Sequence, residues 1–436
     1  MDRRQFLSAA TVGGAAALTF GYSQVGGAQS NQVQPPAATP GRSSSWDEIK
    51  SQFEIEPGMV QMTSFYLASH PKPVRDAIER HRRGLDLNSV AYIDENVGRF
   101  EQAVRDSASG YMGVSADELA FTDSTTMGLG LVYSGLKLNA GQEILTDTRD
   151  HIVTTVSARY GAERSGASLR QTPLYADPAR VSVDEVVGNV RSNLRDTTRL
   201  LAITWLHSGT GVKMPVSRIA EVVRSHNRGK SAEERTLLAV DGVHGFGIEN
   251  VAIPDLGADF FIAGTHKWLT GPRGTGLIWA RNDAWPFVQP AIPTFDPMWR
   301  DVPFDRMPLA ALHTPGGFHS FEHRWALTEA FNFHSAIGKD RIANRIHELN
   351  SRAKTQMAQL PKVRIHTPMS ADLSAGIIAF EVAGLSPGQV VDGLHRQGII
   401  ASATPGFYRP NLARVAPSLL TTEPDVQRTV QAIAAL

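Results

Sequence analysis

Short apolar runs alternate with longer, helix-length segments through the middle of the chain. The runs Leu237–Val240, Phe260–Ala263 and Leu277–Ala280 are rich in Val, Ile, Leu or Phe, as is typical of strands buried on both faces of a sheet. Similar runs lie at Leu119–Phe121 and Leu200–Trp205, each followed by a segment long enough for a helix. This alternation predicts βαβ units in a mostly parallel sheet. The last two runs are joined by a short turn, so one of them is expected to be antiparallel.

The C-terminal part of the chain follows a different pattern. The proline-rich segment Pro286–Gly317 predicts loops that cross between domains or reach a partner subunit. Two long helices are predicted at Phe321–Ile337 and Asp340–Leu360, followed by a strand at Ile377–Val382 and shorter elements. The predicted fold class is therefore α/β, with a three-layer αβα large domain, a mostly parallel sheet and a small α+β C-terminal domain.

Polar residues follow two of the buried runs where each strand is predicted to end. Asp241 and His244 come after the first run, and Thr265, His266 and Lys267 come after the second. In an open α/β sheet such positions meet at the carboxyl edge, where these folds bind ligands. A carboxylate and a lysine at two strand ends suit pyridoxal phosphate, which needs a lysine for a Schiff base and an acid that keeps its ring nitrogen protonated.

A hydroxyl-rich segment after another strand is suited to the phosphate of such a cofactor. Thr122–Thr126 follows the run at Leu119–Phe121 and precedes a helix predicted from Met127 to Leu136. Backbone N–H groups and the dipole at the start of a helix favour an anion. Plain N-capping by Ser or Thr is the alternative for this segment taken alone, and phosphate binding is the better hypothesis beside Lys267.

Composition excludes several kinds of chemistry. The chain of 436 residues has 43 basic and 43 acidic residues, so its net charge gives no reason to expect binding to nucleic acid or an anionic membrane. It has no cysteine. This excludes disulfides, thiolate metal sites and any mechanism in which a cysteine of the chain is the nucleophile.

The first residues resemble a twin-arginine (Tat) signal peptide. Arg3 and Arg4 precede a weakly apolar run rich in Ala and Gly, and Gly26 and Ala28 are small residues before a cleavage site. We therefore expect export by the Tat machinery to the periplasm, with cleavage near Ala28. A basic start to a disordered tail is the alternative. The run is too short, and too diluted by Gly, Ser and Thr, for a stable membrane anchor.

Shifts in composition and pattern predict five segments of the chain. They are a signal peptide (1–28), a disordered spacer rich in Pro, Ser and Gln (29–45), an N-terminal arm and helix (46–98), a large cofactor-binding domain (99–310), and the interdomain helices with the small C-terminal domain (311–436).

Three short motifs carry a resemblance to a known family. They are DGVH at 241–244, GTHKWL at 264–269 and PRGTG at 272–276. Together they resemble the fold-type I pyridoxal-phosphate enzymes of aminotransferase class V, from roughly Met62 to the C-terminus, and HKWL is similar to the isopenicillin-N-epimerase-like branch. The family also includes cysteine desulfurases, which form a persulfide on their own cysteine. Because this chain has no cysteine, that branch is not expected.

The resemblance implies roles for the residues at the strand ends. Lys267 matches the lysine that forms the aldimine with the cofactor, and Asp241 matches the acid that pairs with the pyridinium nitrogen. His244 matches the residue that reaches the ring hydroxyl, and His266 matches a phosphate ligand. The pair Thr125 and Thr126 matches the binding positions of the family's phosphate loop.

Three more residues match positions around the cofactor and the substrate. His151 falls where an aromatic residue stacks on the ring, and Ser208 falls where the family often has an Asn near the ring hydroxyl. Arg414 resembles the arginine that binds the α-carboxylate of the substrate, a role suited to a guanidinium fork. Each residue also has a structural alternative, such as a turn cap for Asp241, core packing for the histidines and a surface ion pair for Arg414.

A second group of histidines gives no reason to predict a metal site. His313, His319 and His323 lie close together in the sequence. Without carboxylates at helical spacing they are better explained as loop and helix surface than as metal ligands, so no metal site is predicted.

These features together predict an exported pyridoxal-phosphate enzyme. We expect it to form an aldimine with an amino acid or a peptide-linked amino group and to break a bond at Cα, by transamination, epimerisation, elimination or oxidative decarboxylation. Tailoring of a secreted peptide or siderophore is an analogy to periplasmic members of this branch. A ligand-binding protein without turnover and a metal-dependent hydrolase are the alternatives. The resemblance also implies a homodimer, because fold-type I enzymes usually build each active site at a dimer interface, with Pro286–Gly317 reaching across.

Overall fold

A seven-stranded sheet lies at the centre of the larger part of the fold. The computed structural model describes residues 40–406 and 410–436. In that part of the chain the strands are β1 (Val60–Gln61), β2 (Leu119–Thr122), β3 (Glu143–Asp147), β4 (Ser168–Thr172), β5 (Thr198–Thr204), β6 (Leu237–Asp241), β7 (Phe260–Gly264), β8 (Gly276–Ala280), β9 (Val363–Ile365), β10 (Ile378–Val382), β11 (Ile399–Ile400), β12 (Ser402–Ala403) and β13 (Ala413–Val415). The large sheet has the order β2-β8-β7-β6-β5-β3-β4.

Most neighbouring strands of this sheet run parallel. Strands β4, β3, β5, β6 and β7 pair in parallel, whereas β8 is antiparallel to both of its neighbours, β7 and β2. The link from β7 to β8 is too short for a helical crossover, so β8 returns beside β7 in the opposite direction. The expectation of one antiparallel strand is confirmed.

Helices cover both faces of the sheet. They are α1 (Trp46–Lys50), α2 (Lys72–Leu87), α3 (Ser89–Met112), α4 (Thr125–Gly135), α5 (Ile152–Ser165), α6 (Val183–Asn193), α7 (Val216–His226), α8 (Asp296–Trp299), α9 (Leu309–Leu312), α10 (Phe321–Ile337), α11 (Lys339–Met357), α12 (Pro387–Arg396) and α13 (Glu423–Ala434). In β6, Leu238 and Val240 pack in one apolar cluster with α6 and α7, and Leu237 and Ala239 pack in another with α4 and α5. Successive side chains of a strand point to opposite faces, so the arrangement has the three predicted layers.

A smaller sheet forms the core of the C-terminal part. Its order is β12-β13-β10-β9, and its pairings are antiparallel. It packs against α11, α12 and α13 in an apolar cluster that includes Leu349, Phe380, Leu394 and Val426, which gives the predicted α+β arrangement. Strand β1 pairs in parallel with β11, so the N-terminal arm is joined to this C-terminal part.

The N-terminal helices are longer than the sequence pattern predicts. The pattern indicates helix at about 74–83 and again from Phe100, whereas α2 ends at Leu87 and α3 begins at Ser89. The first turns of α3 mix apolar residues such as Val90 and Ile93 with acidic ones, and none of positions 89–96 is buried, so they carry no buried apolar stripe. The side chain of Asn88 accepts a hydrogen bond from Ala91 N (3.2 Å) and marks the start of α3.

The predicted spacer needs a correction at its C-terminal end. The predicted signal peptide (1–28) and positions 29–39 of the spacer lie outside the described residues. The last positions before Trp46 are ordered, because Arg42 pairs with Asp340 (2.7 Å) and Ser45 caps α1 by accepting from Glu48 N (3.2 Å). Among the described residues, no helix combines the length and apolar character needed to cross a membrane.

His334 on α10 is a buried histidine whose ring lacks hydrogen bonds. Among the described residues, neither ring nitrogen has a hydrogen-bond partner, and burial lowers the pKa of His334 from 6.5 to about 3. The folded protein therefore holds a neutral imidazole that has lost its hydrogen bonds to water. Because the folded-state pKa is depressed, stability from the neutral ring is present above about pH 6.5 and is lost as the pH falls towards 3.

Replacing His334 with leucine is expected to raise the free energy of unfolding by about 1–3 kcal/mol at pH 8 and by about 2 kcal/mol more at pH 5. Chemical denaturation of the cofactor-free protein at both pH values measures the two effects. His313→Leu is the matched control, because its buried ring lies near two carbonyl oxygens, those of Leu309 (2.8 Å) and Val288 (3.1 Å), and its loss should destabilise. A His334→Leu protein that is less stable than the native chain at both pH values would contradict the prediction.

Candidate active site

The residues predicted to bind the cofactor line one cavity at the carboxyl edge of the large sheet. They are Thr125, Thr126, His151, Ser208, Asp241, His244, His266 and Lys267. The ends of β5, β6 and β7 meet the starts of α4 and α5 there, because parallel strands end at the same edge of a sheet. The remaining lining residues are Ser124, Leu129, Val153, Thr204 and Val243.

Asp241, the last residue of β6, is a buried carboxyl at the base of the cavity. Its Oδ1 accepts from Val243 N (3.1 Å), and its Oδ2 accepts from Thr154 Oγ1 (3.4 Å). Burial raises the pKa of Asp241 to about 6, against the opposing effects of the Val243 N–H and of Lys267. The group is therefore mostly ionised at neutral pH, and a bound cation would stabilise that charge.

Lys267 lies in the turn after β7 and points its amine at the same cavity. Its Nζ is 3.5 Å from His244 Nε2. Burial lowers the pKa of Lys267 to about 8, although the charge of Asp241 acts in the opposite direction. About a tenth of the group is thus a free amine at pH 7, far more than for a lysine with an ordinary pKa, and the amine is the form that attacks a carbonyl carbon.

The segment at the start of α4, residues 124–126, is suited to binding a phosphate and is called the phosphate cup below. Ser124 caps the helix by accepting from Met127 N (3.2 Å), and Gly264 N donates to Thr125 Oγ1 (2.7 Å), which ties the cup to the end of β7. A Cβ on Gly264 would lie 3.0 Å from Thr125 Oγ1, so glycine permits this approach. His266 Nδ1 is buried and has no hydrogen-bond partner among the described residues.

His151 and His244 present neutral rings to the cavity. Nδ1 of His151 accepts from Val153 N (3.2 Å) at the start of α5. Burial, helped by the charge of Lys267, lowers the pKa of His151 to about 4 and the pKa of His244 well below its ordinary value. Neither ring adds positive charge at neutral pH, so Lys267 and Asp241 dominate the charge balance of the cavity.

Arg414, on β13 of the smaller sheet, reaches the edge of the same site. Its Nη1 donates to Ser208 O (2.9 Å) and Oγ (2.8 Å), and its Nη2 donates to Ser402 Oγ (2.9 Å). Its guanidinium carbon lies 4.8 Å from the centre of the Phe65 ring. These contacts hold the guanidinium next to the cavity lining, and its role in binding a substrate carboxylate stays a prediction.

The family comparison agrees with the fold and with the residues in the cavity. The family profile described as Aminotransferase class-V matches residues 69–414, a span that contains every predicted site residue. The chain belongs to the aminotransferase class-V family.

Individual relatives show how broad the class-V family is. An isopenicillin N epimerase from Amycolatopsis lactamdurans is 25% identical over 407 residues, which cover 89% of this chain and 98% of that protein. A probable cysteine desulfurase from Halalkalibacterium halodurans is 25% identical over 301 residues, which cover 66% of this chain and 68% of that protein.

A solved structure confirms the predicted fold type for this class-V chain. A mutant of C-DES, with glycine covalently linked to its pyridoxal-phosphate cofactor, superposes with a TM-score of 0.79 at 20% identity. The match covers 88% of this chain and 98% of that chain. At this level of identity the likeness establishes the shared fold.

The cavity of this class-V protein fits pyridoxal phosphate. Asp241 supplies a buried carboxyl for a protonated ring nitrogen, and Lys267 supplies an amine for the aldehyde. The start of α4 supplies backbone donors for a phosphate, and the ring of His266 lines the same cavity. The residues therefore match the charged and reactive groups of this cofactor one by one.

The histidines at 313–323 do not share a site in this class-V fold. His313 contacts carbonyl groups and packs on the Trp285 ring, with 4.5 Å between ring centres. His319 lies 3.3 Å from Glu101, and His323 lies 2.9 Å from the carbonyl oxygen of Arg273. Among the described residues, no group of three or more His, Asp or Glu side chains is placed to hold a metal ion.

Several residues of the class-V site were not predicted from the sequence. Thr154 donates to Asp241 from the first turn of α5, and Thr204 and Val243 line the cavity. Thr204 is the last residue of β5, and Val243 comes two residues after the end of β6. Both positions could therefore have been predicted to line the site from the strand ends. Trp268 donates to His244 from outside the lining (3.4 Å), and nothing in the sequence pattern indicates that contact.

Proposed function

We propose that the protein is a pyridoxal-phosphate-dependent enzyme that binds the amino group of an amino acid or of a peptide-linked amino acid and breaks a bond at its Cα. The observation that carries the proposal is the single cavity in which Lys267, Asp241 and the phosphate cup at Thr125 meet. When bound, the cofactor supplies an electron-accepting ring that stabilises negative charge at Cα.

The residues that line the cavity have different roles around that ring. Asp241 holds a proton on the ring nitrogen, and the start of α4 with His266 holds the phosphate. Lys267 attaches the cofactor and then, as a free amine, takes or returns the proton at Cα. Its lowered pKa of about 8 suits this exchange near neutral pH, since an efficient acid–base group has a pKa close to the working pH.

The absence of cysteine argues against one of the reactions found among the class-V relatives. Without a cysteine it has no thiol that could accept sulfur from a substrate, so we infer that it is not a cysteine desulfurase of the kind that forms an enzyme persulfide. Transamination, epimerisation, elimination and oxidative decarboxylation use the residues described above. The likeness to isopenicillin N epimerases supports a substrate of the amino-acid or small-peptide class, and within that class we propose an exported peptide or siderophore.

The visible spectrum of the purified protein tests the proposal. After addition of pyridoxal phosphate we expect a yellow protein whose colour is lost on borohydride reduction, with the reduced cofactor fixed to Lys267. A colourless protein that takes up no cofactor and carries stoichiometric metal would favour the alternative of a metal-dependent hydrolase. A yellow protein whose spectrum is unchanged by amino acids and peptides would favour a binding protein without turnover.

We also propose that the protein is exported to the periplasm through the Tat machinery. The support is the Arg3-Arg4 pair and the small-residue exit near Ala28. Cell fractionation with and without an intact Tat pathway tests this, and a twin-lysine variant (Arg3→Lys, Arg4→Lys) is the matched control. Recovery of the native chain in the cytoplasm, at its full length, would contradict it.

A homodimer is the assembly that we propose. The segment from Pro286 onward exposes several large apolar side chains, as expected of a surface that contacts a partner. They are Ile292, Met298, Phe304, Leu309 and Phe318. Light scattering of the holoprotein, compared with Phe318→Ser, tests whether this segment holds two copies together.

Arg414→Lys is expected to raise KM for a substrate with a free α-carboxylate about 10- to 100-fold, with little change in kcat. Lysine keeps the charge but loses the two-pronged hydrogen bonding. Steady-state kinetics with the acid and with its amide separate the two effects, because the amide should not respond. Arg364→Lys, an exposed change on β9 of the same sheet, is the control. An equal loss for acid and amide would assign Arg414 a purely structural role.

A further inference from the structure

Trp268 does not line the cavity, but its side chain contacts His244, which does, and His244 is close to Lys267. Its indole Nε1 is 3.4 Å from Nδ1 of His244, and Nε2 of the same imidazole is 3.5 Å from Nζ of Lys267. Trp268 and His244 are 2% and 3% exposed. The three side chains form a row that leads from the apolar interior to the reactive amine.

The indole decides which nitrogen of His244 carries the proton. A tryptophan N–H only donates, and a neutral imidazole has one N–H and one acceptor nitrogen. His244 is neutral because burial lowers its pKa well below the ordinary value. With Nδ1 accepting from Trp268, the proton lies on Nε2, and Nε2 faces Lys267.

That position of the proton favours the amine form of Lys267. An Nε2–H donates to the lone pair of an amine, whereas an ammonium group would place two donors face to face. Among the described residues, the other titratable or charged groups that act on this pair are Asp241, His151, His266 and Arg414. The charge of Asp241 favours the ammonium form of Lys267, and the charge of Arg414 disfavours it. The hydrogen bond from His244 therefore adds to two charge effects of opposite sign.

The fold fixes the direction of the indole N–H. A Cβ on Gly376 would lie 2.6 Å from Cη2 of Trp268, and a Cβ on Gly247 would lie 2.9 Å from its carbonyl carbon. Both glycines have positive φ, 58° and 96°. The indole packs in an apolar cluster with Phe65 and Phe333. Glycine at 376 leaves room for the large ring, and glycine at 247 leaves room for the backbone of Trp268, so close packing holds the indole in one orientation.

We infer that Trp268 is a positioning residue: its indole N–H holds His244 in the Nε2-protonated form, and His244 in turn favours the amine form of Lys267. The inference deepens the proposed function and rests on it, because that function needs Lys267 as an amine to attach the cofactor and to take the proton from Cα. Trp268 acts through His244 and not by contact with the reacting groups.

Competitive labelling of Lys267 in the cofactor-free protein tests the inference. A pulse of acetic anhydride modifies only the amine form, and mass spectrometry reads the extent between about pH 6 and pH 10, a range that spans lysine titration. In Trp268→Phe, which keeps a ring but loses the N–H, labelling of Lys267 at pH 7 is expected to fall about two- to tenfold. The difference should vanish at high pH, where Lys267 is an amine in both proteins.

Trp279→Phe is the matched control. Its indole is also 2% exposed and donates to Glu118 Oε2 (3.0 Å) from β8, so it loses a similar bond while leaving Lys267 labelling unchanged. An equal loss of labelling at every pH, or no loss, would overturn the inference. If Trp268→Phe does not fold, ¹⁵N NMR of the native protein decides between the tautomers, and a proton on Nδ1 of His244 would overturn it. Neither measurement uses the cofactor, so a failure of the proposed function is seen separately, as a protein that takes up no pyridoxal phosphate.

Discussion

Replacing Lys267 with alanine is expected to abolish borohydride-stable attachment of pyridoxal phosphate and to lower turnover about 10²- to 10⁴-fold, the usual contribution of a positioned acid–base group. Among the residues that line the cavity, Lys267 is the one lysine. Its loss removes both the amine that holds the cofactor and the group that moves the proton at Cα. The phosphate cup at Thr125 and the carboxyl of Asp241 remain, so cofactor is still expected to bind without a covalent bond.

Intact-mass analysis after borohydride treatment and equilibrium dialysis of the cofactor measure these two outcomes separately. Lys354→Met is the matched control. Burial also lowers the pKa of Lys354 to about 8, but its amine donates to Pro368 O (2.7 Å) and Ser374 Oγ (2.6 Å), away from the cavity. Full attachment in Lys354→Met and none in Lys267→Ala would support the assignment. Covalent attachment to another lysine, with turnover intact, would contradict it.

The position of the site could be predicted because strand ends have a sequence signal. Asp241 directly follows an apolar run that forms β6, and Lys267 follows the run that forms β7. Parallel strands end at a common edge, so polar residues after buried runs are brought together whatever the intervening chain does. The direction of β8 could be predicted for a related reason, since a short link permits only an antiparallel return.

Elements at the edge of the fold gave no such signal. Strand β4 is one of the two edge strands of the large sheet, and its residues are partly or largely exposed. It therefore has neither a continuous apolar run nor a clean alternation. The start of α3 likewise has no buried residue at positions 89–96. In both cases tertiary pairing, and not local pattern, decides the structure.

Contacts between distant side chains were also beyond prediction from one sequence. Arg414 reaches Ser208 across 206 positions, whereas the resemblance implied only that Ser208 lies near the ring hydroxyl of the cofactor and Arg414 near the substrate carboxylate. The contact between Trp268 and His244 depends on Gly376, which leaves room for the indole, and on Gly247, which leaves room for the backbone of Trp268. No spacing rule connects such residues, because side-chain packing sets their distance.

Asp241→Asn is expected to lower turnover about 10²- to 10³-fold, the effect of removing one partner of a buried charge pair, while attachment to Lys267 persists. Asparagine keeps the shape and the contact with Val243 N but cannot hold a proton on the ring nitrogen. Single-turnover kinetics and borohydride fixation measure the two properties in one preparation. Loss of attachment in this variant would show that Asp241 acts by shaping the cavity and not by its charge.

The same substitution should have the opposite effect on the stability of the cofactor-free protein. The pKa of Asp241 is raised to about 6, so its contribution to stability is fully present below about pH 4 and is lost as the pH rises through 6. Asp241→Asn is therefore expected to be more stable than the native chain by about 3 kcal/mol at pH 8, with no advantage at pH 4. Glu143→Gln is the control, because buried Glu143 pairs with Arg170 (2.7 Å), and although burial acts to raise its pKa, the Arg170 guanidinium lowers it, so its loss should destabilise. A site that holds a cationic ring requires a carboxyl that lowers the stability of the cofactor-free protein and is needed for turnover when the cofactor is bound. If Asp241→Asn were less stable than the native chain at pH 8, that result would argue against such a site.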